Sequence, residues 1–138
     1  MPSVGYSGTP LAKKLGLKPL LKVWLVNAPK EYASWLGELP VGVNFMTKAT
    51  PPIKAAHIFV TQSHELDSLL STLRNDLKQS GFVWVSWPKK SSKVQTDITE
   101  DVIREIALPL GFVDIKVCAV SEVWSGLKLV IRVSERKK

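Results

Sequence analysis

Hydrophobic residues follow two patterns along the chain, a helical period and continuous apolar runs. Together these patterns predict a protein built from both helices and strands. A helical period over residues 64–79 predicts the clearest helix of the chain. Its apolar stripe consists of Leu66, Leu69, Leu70, Leu73 and Leu77. The run from Phe82 to Trp87 is apolar apart from one serine, which is typical of a strand buried on both faces of a parallel sheet. Residues 81–111 are therefore predicted to form a buried strand, a basic loop and a second helix.

Proline, glycine and polar residues predict where these elements begin and end. Pro88 ends the buried strand, because proline cannot donate to a sheet ladder. Asp97 and Glu100 have the spacing of a capping box, which predicts that the next helix begins near them. Gly111 suits the left-handed conformation that ends many helices. The Ser-Gly pair at residues 125–126 predicts a tight hairpin turn between the last two strands.

The same reasoning places elements along the whole chain. Strands are predicted over residues 22–27, 41–46, 55–61, 82–87, 113–120 and 127–133, and helices over residues 10–15, 31–36, 64–79 and 98–110. Residues 1–9 are predicted to be an arm, and residues 134–138 a flexible charged tail.

Strands that alternate with helices imply right-handed crossovers and a mainly parallel sheet. The closing hairpin makes that sheet mixed. We therefore expect a single α/β domain over residues 1–138, three-layered and Rossmann-like, with a C-terminal antiparallel hairpin. This order of elements resembles the latter part of a class I methyltransferase sheet, which also ends in an antiparallel strand.

Composition narrows the class of protein further. A chain of 138 residues with 45% hydrophobic content can bury a sizeable core and is not typical of disorder. The single cysteine, Cys118, excludes an internal disulfide framework and favours a reducing compartment. Residues 20–26 are far shorter than the roughly 20 apolar residues of a membrane span. Because the chain also shows no signal-peptide pattern, we expect a cytoplasmic protein without a membrane partner.

The net charge of +7 would help to attract nucleic acid, anionic lipid or a phosphorylated ligand, although surplus lysines can equally be solvated. The positive residues are mostly lysines, whereas sites that read nucleic-acid sequence tend to use arginine. No zinc-finger spacing, RNP signature or arginine-rich tract occurs. Nucleic acid is therefore a weak candidate partner, though not an excluded one. The sequence does not predict the oligomeric state.

A basic loop provides the candidate ligand site. In open α/β sheets, ligands collect beyond the carboxyl ends of the strands, and residues 88–96 lie at such an end. We expect a small anionic ligand of phosphate or nucleotide type there, although the loop lacks the glycines of a P-loop and its charge can simply be solvated. The predicted lining is Asn27, Trp87, Lys89, Lys90, Ser91 and Ser92, with Ser7, Gly8 and Thr9 as a lid.

The sequence gives little support for a nucleotide cofactor site, a metal site or a catalytic set. The first strand is followed by Asn27, Ala28 and Pro29 instead of a glycine-rich turn, which argues against an NAD site and, less strongly, against S-adenosylmethionine. His57 and His64 suit structural roles, and no Cys, His and carboxylate cluster has metal-ligand spacing. No catalytic set is recognised, so the cofactor and any reaction remain unknown.

Three segments resemble a bacterial family, domain of unknown function 3052. The matching patches are Ser7 to Pro10, Trp87 to Lys90 with Thr96-Asp97, and Trp124 to Lys128. The resemblance extends over nearly the whole chain and implies a single-domain bacterial cytoplasmic protein, but it implies no mechanism. Ser121 departs from it, since an acidic residue is expected there.

Three hypotheses of function follow. The first is a non-enzymatic module that binds a small anionic ligand at the strand ends. The second is a degenerate methyltransferase-like enzyme with an unusual grip on its cofactor. The third is a protein-interaction module that uses an exposed sheet edge or the terminal hairpin.

Overall fold

The computed structural model describes residues 10–137, which form one six-stranded sheet with helices on both faces. The strands are β1 (Lys22–Val26), β2 (Asn44–Met46), β3 (Ile53–Phe59), β4 (Leu77–Pro88), β5 (Phe112–Ala119) and β6 (Trp124–Ile131). The helices are α1 (Leu11–Lys14), α2 (Tyr32–Leu36), α3 (Ser63–Asp76) and α4 (Glu100–Leu110). Among residues 10–137, no helix combines the length and apolar content that crossing a membrane requires.

The strand order is β2-β1-β3-β4-β6-β5, and the first four strands are parallel. Strand β6 runs antiparallel to both of its neighbours, β4 and β5. This arrangement confirms the predicted mixed, mainly parallel sheet with an antiparallel hairpin. From β1 the chain continues outward to β2, whereas from β3 it continues in the opposite direction to β4. The boundary between β1 and β3 is therefore a topological switch point.

Each face of the sheet carries its own apolar core. On one face, α3 and α4 contribute Leu66, Leu70 and Ile103, which pack against β3, β4 and β6. On the other face, α1 and α2 contribute Leu15 and Tyr32 to a second cluster. Successive side chains of a strand point to opposite faces, so β3 supplies both cores. The three-layer prediction is thus confirmed.

Helix α3 is shorter than its hydrophobic stripe predicts, and it continues directly into β4. The helix ends at Asp76, and Leu77 is already extended and paired with Ile53. Gly81 lies inside the strand, where a Cβ atom would approach the Lys54 carbonyl oxygen to 2.8 Å. The hydrophobic stripe extends past the end of the helix because Leu77 is buried in the same core whether it belongs to a helix or to a strand.

The capping box predicted from Asp97 is wrong. The N-cap of α4 is Thr99, whose hydroxyl accepts a hydrogen bond from the Val102 amide at 3.2 Å. Asp97 instead caps α3, because its carboxylate accepts hydrogen bonds from the amide and the hydroxyl of Ser63 at 2.7 and 2.8 Å. The carboxylate thus stabilises a helix start 34 residues away in sequence. The predicted end of α4 is confirmed, since Gly111 has a φ of +100°.

The predicted hairpin turn is also displaced. Residues 125–126 lie within β6, where they pair with β4 and β5. The turn is made around Ser121, whose hydroxyl accepts hydrogen bonds from the amides of Val123 and Trp124. Close packing favours glycine at Gly126, because a Cβ atom there would lie 3.2 Å from the ring of Trp84.

The charged C-terminal segment makes defined contacts up to residue 137. A short 3₁₀ turn, Val133–Glu135, brings the Glu135 carboxylate within 3.5 Å of Arg74 on α3. The Arg136 guanidinium donates to the Ile131 carbonyl oxygen at 2.9 Å, and the Lys137 amide donates to Gln79 at 3.0 Å. These contacts place the segment beside α3 and the first residues of β4.

Candidate functional site

The carboxyl edge of the parallel strands is the natural place for a ligand. Asn27 follows β1, Thr61 follows β3 by two residues, and Lys89 follows β4. Helices α2 and α3 lie on opposite faces, so the loops that lead to them diverge at the switch point between β1 and β3. Such a divergence leaves a crevice at the strand ends. The predicted position of the lysine loop at this edge is confirmed.

A cleft of about 540 Å³ opens at this edge. It lies between the β3–α3 connection and the loop that precedes α4. Two hydrogen bonds hold these segments together, since the Thr96 hydroxyl and the Asp97 amide both donate to the Thr61 carbonyl oxygen, at 2.6 and 3.3 Å. The cleft is lined by Thr61, Gln62, His64, Gln95, Thr96 and Asp97.

Asp97 determines the electrostatics of the cleft. Hydrogen bonds from the side chain and amide of Ser63 lower the pKa of Asp97, so the carboxylate is ionised at neutral pH. The N-terminus of a helix attracts anions, and here the carboxylate of the protein already occupies that position on α3. A phosphate entering the cleft would meet this negative charge, whereas a neutral or cationic group would be accommodated.

A side-chain bridge spans the switch point. Asn27 has a left-handed backbone with a φ of +57°, and its amide donates to the Glu65 carboxylate at 3.1 Å. The bridge joins the end of β1 to the first turn of α3. Where dinucleotide sites have glycines that let the backbone approach a ligand, this chain therefore has two hydrogen-bonded side chains.

The lysine loop is held mainly by its own contacts. Residues Lys90–Ser92 form a 3₁₀ turn, and the Ser92 hydroxyl donates to the Lys89 carbonyl oxygen at 2.6 Å. The Lys89 amide donates to the Val123 carbonyl oxygen at 2.7 Å, which ties the loop to the β5–β6 turn. Lys90 and Ser91 are exposed, while Lys89 and Ser92 are partly buried.

The predicted site residues from Asn27 onward are brought to one edge but not into one pocket. The Trp87 side chain is only 7% exposed and packs in the core beneath α3 and α4, so it does not line the cleft. Asn27 is exposed, but its amide is engaged by Glu65. The proposed lid of Ser7, Gly8 and Thr9 lies outside the described residues. Ligand binding by the predicted set stays a prediction.

A buried polar triad lies behind the cleft, on the side of α1 and α2. The His57 ring accepts or donates one hydrogen bond at each nitrogen: Nδ1 lies 2.7 Å from the Tyr32 hydroxyl, and Nε2 lies 2.7 Å from the Ser86 hydroxyl. The His57 ring also stacks on Phe59, with 4.5 Å between centroids. The predicted structural role of His57 is confirmed, but its two partners come from segments that no sequence spacing connects to it.

Burial of the triad excludes contact with a substrate and gives it a positioning role. All three side chains are at most 4% exposed. Burial lowers the pKa of His57 to about 3 and raises the pKa of Tyr32. The ring therefore stays neutral and links the Tyr32 and Ser86 hydroxyls through its two hydrogen bonds. It fixes α2 on the sheet, and with α2 it fixes the segment that begins at Asn27.

The triad makes stability depend on pH in a defined direction. In the unfolded chain His57 takes up a proton below its ordinary pKa of 6.5, whereas the folded chain resists protonation down to about 3. Stability is therefore complete above pH 6.5 and is lost as the pH falls toward 3. We expect the free energy of unfolding, measured with denaturant, to fall by about 2 kcal/mol between about pH 6.5 and 5. A His57 imidazole that titrates near its ordinary pKa in the folded protein, followed by NMR, would contradict this.

The described residues include no candidate metal centre. Within residues 10–137, no group of three or more His, Cys, Asp or Glu side chains is placed to hold a metal ion.

Comparison with known proteins identifies the fold but not a family. No family model matches the chain, and no curated protein matches it. Among solved structures, the chain is similar to a proposed type 11 methyltransferase from Sulfolobus solfataricus, with a TM-score of 0.62 and 14% identity over 93% of each chain.

Two further structures extend this likeness. One is magnesium protoporphyrin IX methyltransferase from Synechocystis PCC 6803 with bound S-adenosylmethionine, with a TM-score of 0.56 and 14% identity over 88% of this chain and 74% of that chain. The other is the fibrillarin pre-rRNA processing protein of Methanococcus jannaschii, with a TM-score of 0.55 and 10% identity over 83% of this chain and 67% of that chain. At such identities the likeness concerns the fold, which is Rossmann-like with methyltransferase-like topology.

Proposed function

We propose that this protein is a degenerate methyltransferase-like protein that binds S-adenosylmethionine or a close relative in the cleft at the carboxyl edge. The observation that carries the proposal is the position of the cleft. In a fold similar to that of methyltransferases, one of which holds S-adenosylmethionine, the cleft opens beside the switch point where such folds bind ligands. This ranks the methyl donor above the small phosphate ligand that composition alone favours.

The charge of the cleft supports the same ligand. The Asp97 carboxylate disfavours phosphate but is compatible with the sulfonium and amino groups of the methyl donor. Gln62 and Gln95 are exposed cleft residues whose side-chain amides make no hydrogen bond within residues 10–137, so these amides are available to the adenine or ribose. The methyl donor, when bound, would supply an electrophilic methyl group, and these side chains would bind and orient it.

The fit is partial, which is why we describe the protein as degenerate. The bridge between Asn27 and Glu65 takes the place of a glycine-rich turn. Strand β2 is followed by Thr47 and Lys48, so no carboxylate stands immediately after it to hold ribose hydroxyls. We therefore expect micromolar binding, weaker than in an enzyme with the full set of contacts.

Isothermal titration calorimetry with S-adenosylmethionine and S-adenosylhomocysteine tests this proposal. Both are expected to bind, and Gln62→Ala and Gln95→Ala are each expected to weaken binding about fivefold, which corresponds to one lost hydrogen bond of about 1 kcal/mol. Gln79→Ala is the matched control, because Gln79 lies at the opposite end of β4, and it should leave the affinity unchanged. An absence of binding by both compounds would overturn the proposal.

A second candidate is the small anionic ligand at the lysine loop, which the exposure of Lys90 and Ser91 at the same edge favours. Titration with ATP distinguishes the two candidates. Binding of ATP that is lost in Lys89→Ala and Lys90→Ala, without binding of S-adenosylmethionine, would replace the first candidate with this one.

A further inference from the structure

A groove of about 390 Å³ opens at the amino edge of the sheet. It lies between the residues that precede β1, the first residues of β1 and β3, and the connection from β2 to β3. We call it the amino-edge groove. Its lining includes Leu20, Lys22, Met46, Thr50, Pro51 and Lys54.

The connection from β2 to β3 forms a fixed wall of the groove. Because β2 and β3 are both parallel to β1, this connection must return along the sheet to the amino edge. The Trp24 indole donates to the Thr47 carbonyl oxygen at 3.3 Å, and Ala49 packs against the core beneath α3. These contacts hold the connection in place, and it presents Pro51 to the groove beside Met46 of β2.

The rim of the groove carries an exposed leucine in a strained conformation. Leu20 is 75% exposed and has a left-handed backbone with a φ of +66°, which costs free energy in a residue with a Cβ atom. Its amide donates to the Val41 carbonyl oxygen at 2.9 Å, and its side chain lies so close to Gly42 that a Cβ atom there would come within 2.5 Å. The fold thus holds a large apolar side chain in water, and a ligand with an apolar part would cover it.

Two lysines bring positive charge to the same groove. Lys22 and Lys54 are exposed, and they come directly before Val23 and Ala55, which are paired in the neighbouring strands β1 and β3. Neighbouring strands lie about 4.8 Å apart, so the two lysine side chains leave the backbone close together. Within residues 10–137 neither ammonium group makes an ion pair or a hydrogen bond, and no carboxylate lines the groove. The exposed Thr50 hydroxyl, also without a partner among these residues, adds a third donor.

We propose that the amino-edge groove binds an amphiphilic carboxylate, which is a molecule with one acid group and a single apolar chain. The two ammonium groups and the Thr50 hydroxyl bind the carboxylate, while Leu20, Met46 and Pro51 cover the chain. A chain of medium length fits, because a volume of about 390 Å³ holds about thirteen groups of roughly 30 Å³ each.

Other ligands satisfy only part of the groove. A small inorganic anion would leave Leu20 in water, and a neutral chain would leave both ammonium groups without a partner. An anionic membrane would need apolar residues that project from the surface, whereas Met46 and Pro51 line a concave groove.

This site is independent of the function proposed for the cleft. The cleft lies at the carboxyl edge of the parallel strands and the groove at their amino edge, and no residue lines both. The two sites therefore need different ligands and different variants, and either can fail alone.

Calorimetry with decanoate as the probe tests the charged half of the groove. Binding is expected, and Lys22→Gln and Lys54→Gln are each expected to weaken it about tenfold, through the loss of one charge-assisted contact. Lys30→Gln is the matched control, because Lys30 is exposed but does not line the groove, and it should change the affinity less than twofold.

Leu20→Asn tests the apolar half. Asparagine tolerates a left-handed backbone, so the variant should fold while its affinity for decanoate falls about fivefold. Val133→Asn is the matched control, because Val133 is 77% exposed and lies outside the groove. Circular dichroism confirms that each variant is folded. Amide chemical shifts of the wild-type protein give a readout that needs no variant, with changes expected on addition of decanoate at Leu20, Met46 and Lys54.

Several outcomes would overturn the proposal. Decanoate that does not bind, or that is weakened equally by Lys30→Gln, would reduce the two groove lysines to a contribution to general charge. Acetate that binds as tightly as decanoate would remove the need for the chain, and 1-decanol that binds as tightly would remove the need for the acid. Vesicles of phosphatidylglycerol that bind when free decanoate does not, with binding lost in the two groove lysine variants, would assign the surface to a membrane instead.

Discussion

His57→Ala is expected to lower the free energy of unfolding by about 4 kcal/mol. The substitution removes a fully buried ring that stacks on Phe59, and it leaves a cavity in an aromatic cluster. It also leaves the hydroxyls of Tyr32 and Ser86 without their partner, in a place where each is at most 4% exposed. A buried hydroxyl without a partner costs about 1–3 kcal/mol, so the cavity and the two lost hydrogen bonds act in the same direction.

Denaturation with guanidinium chloride, followed by far-ultraviolet circular dichroism, measures this loss. Tyr32→Phe keeps the ring and removes one hydroxyl, so it should cost about 1–2 kcal/mol. His64→Ala is the matched control, because His64 is exposed, and it should change stability by less than about 0.5 kcal/mol. If His57→Ala were as stable as the His64 control, the triad would not hold α2 in place.

Trp84→Ala is expected to cost a similar amount, about 4 kcal/mol. Trp84 is 1% exposed and packs in the core beneath α1. Its indole donates to the Leu15 carbonyl oxygen at 2.9 Å, which ties the end of α1 to the centre of the sheet. Helix α1 has only four residues and no side-chain cap, so its stability depends on this packing rather than on its own hydrogen bonds.

Trp84→Phe separates the hydrogen bond from the packing. Phenylalanine fills most of the space but leaves the Leu15 carbonyl oxygen unpaired, so a loss of about 2 kcal/mol is expected. Amide hydrogen exchange should then increase at Leu15 before it increases in α3. A Trp84→Phe variant as stable as the wild-type protein, or unchanged exchange at Leu15, would contradict the anchoring role of the indole.

Local patterns were sufficient to predict the architecture. The leucine stripe of α3, the apolar run of β4 and the glycine at position 111 each reflect a single element, and their periods survive in the structure. The ends of helices and strands were predicted less well where one residue fits the pattern of two neighbouring elements. Leu77 extends the stripe of α3 yet pairs with Ile53, and sheet pairing determines its conformation.

The candidate site was harder to predict from the sequence, because its contacts join residues distant in sequence. Asp97 has a sound local reason to cap α4, but the bond from Thr96 to Thr61 places its carboxylate at the start of α3. His57 and its partners come from three elements, which the pairing of β3 with β4 and the packing of α2 on the sheet bring together. Charge alone directed attention to the loop at Lys89, whereas the position of Lys116 opposite Lys128 depends on how β5 pairs with β6.

The position of β6 between β4 and β5 has a consequence for synthesis of the chain. During translation, β4 emerges well before β6, so one side of this largely buried strand lacks its hydrogen-bonding partner until residues 124–131 leave the ribosome. An apolar strand in that state can pair with other chains. Nascent molecules that stall in this interval would therefore be the form most prone to aggregation.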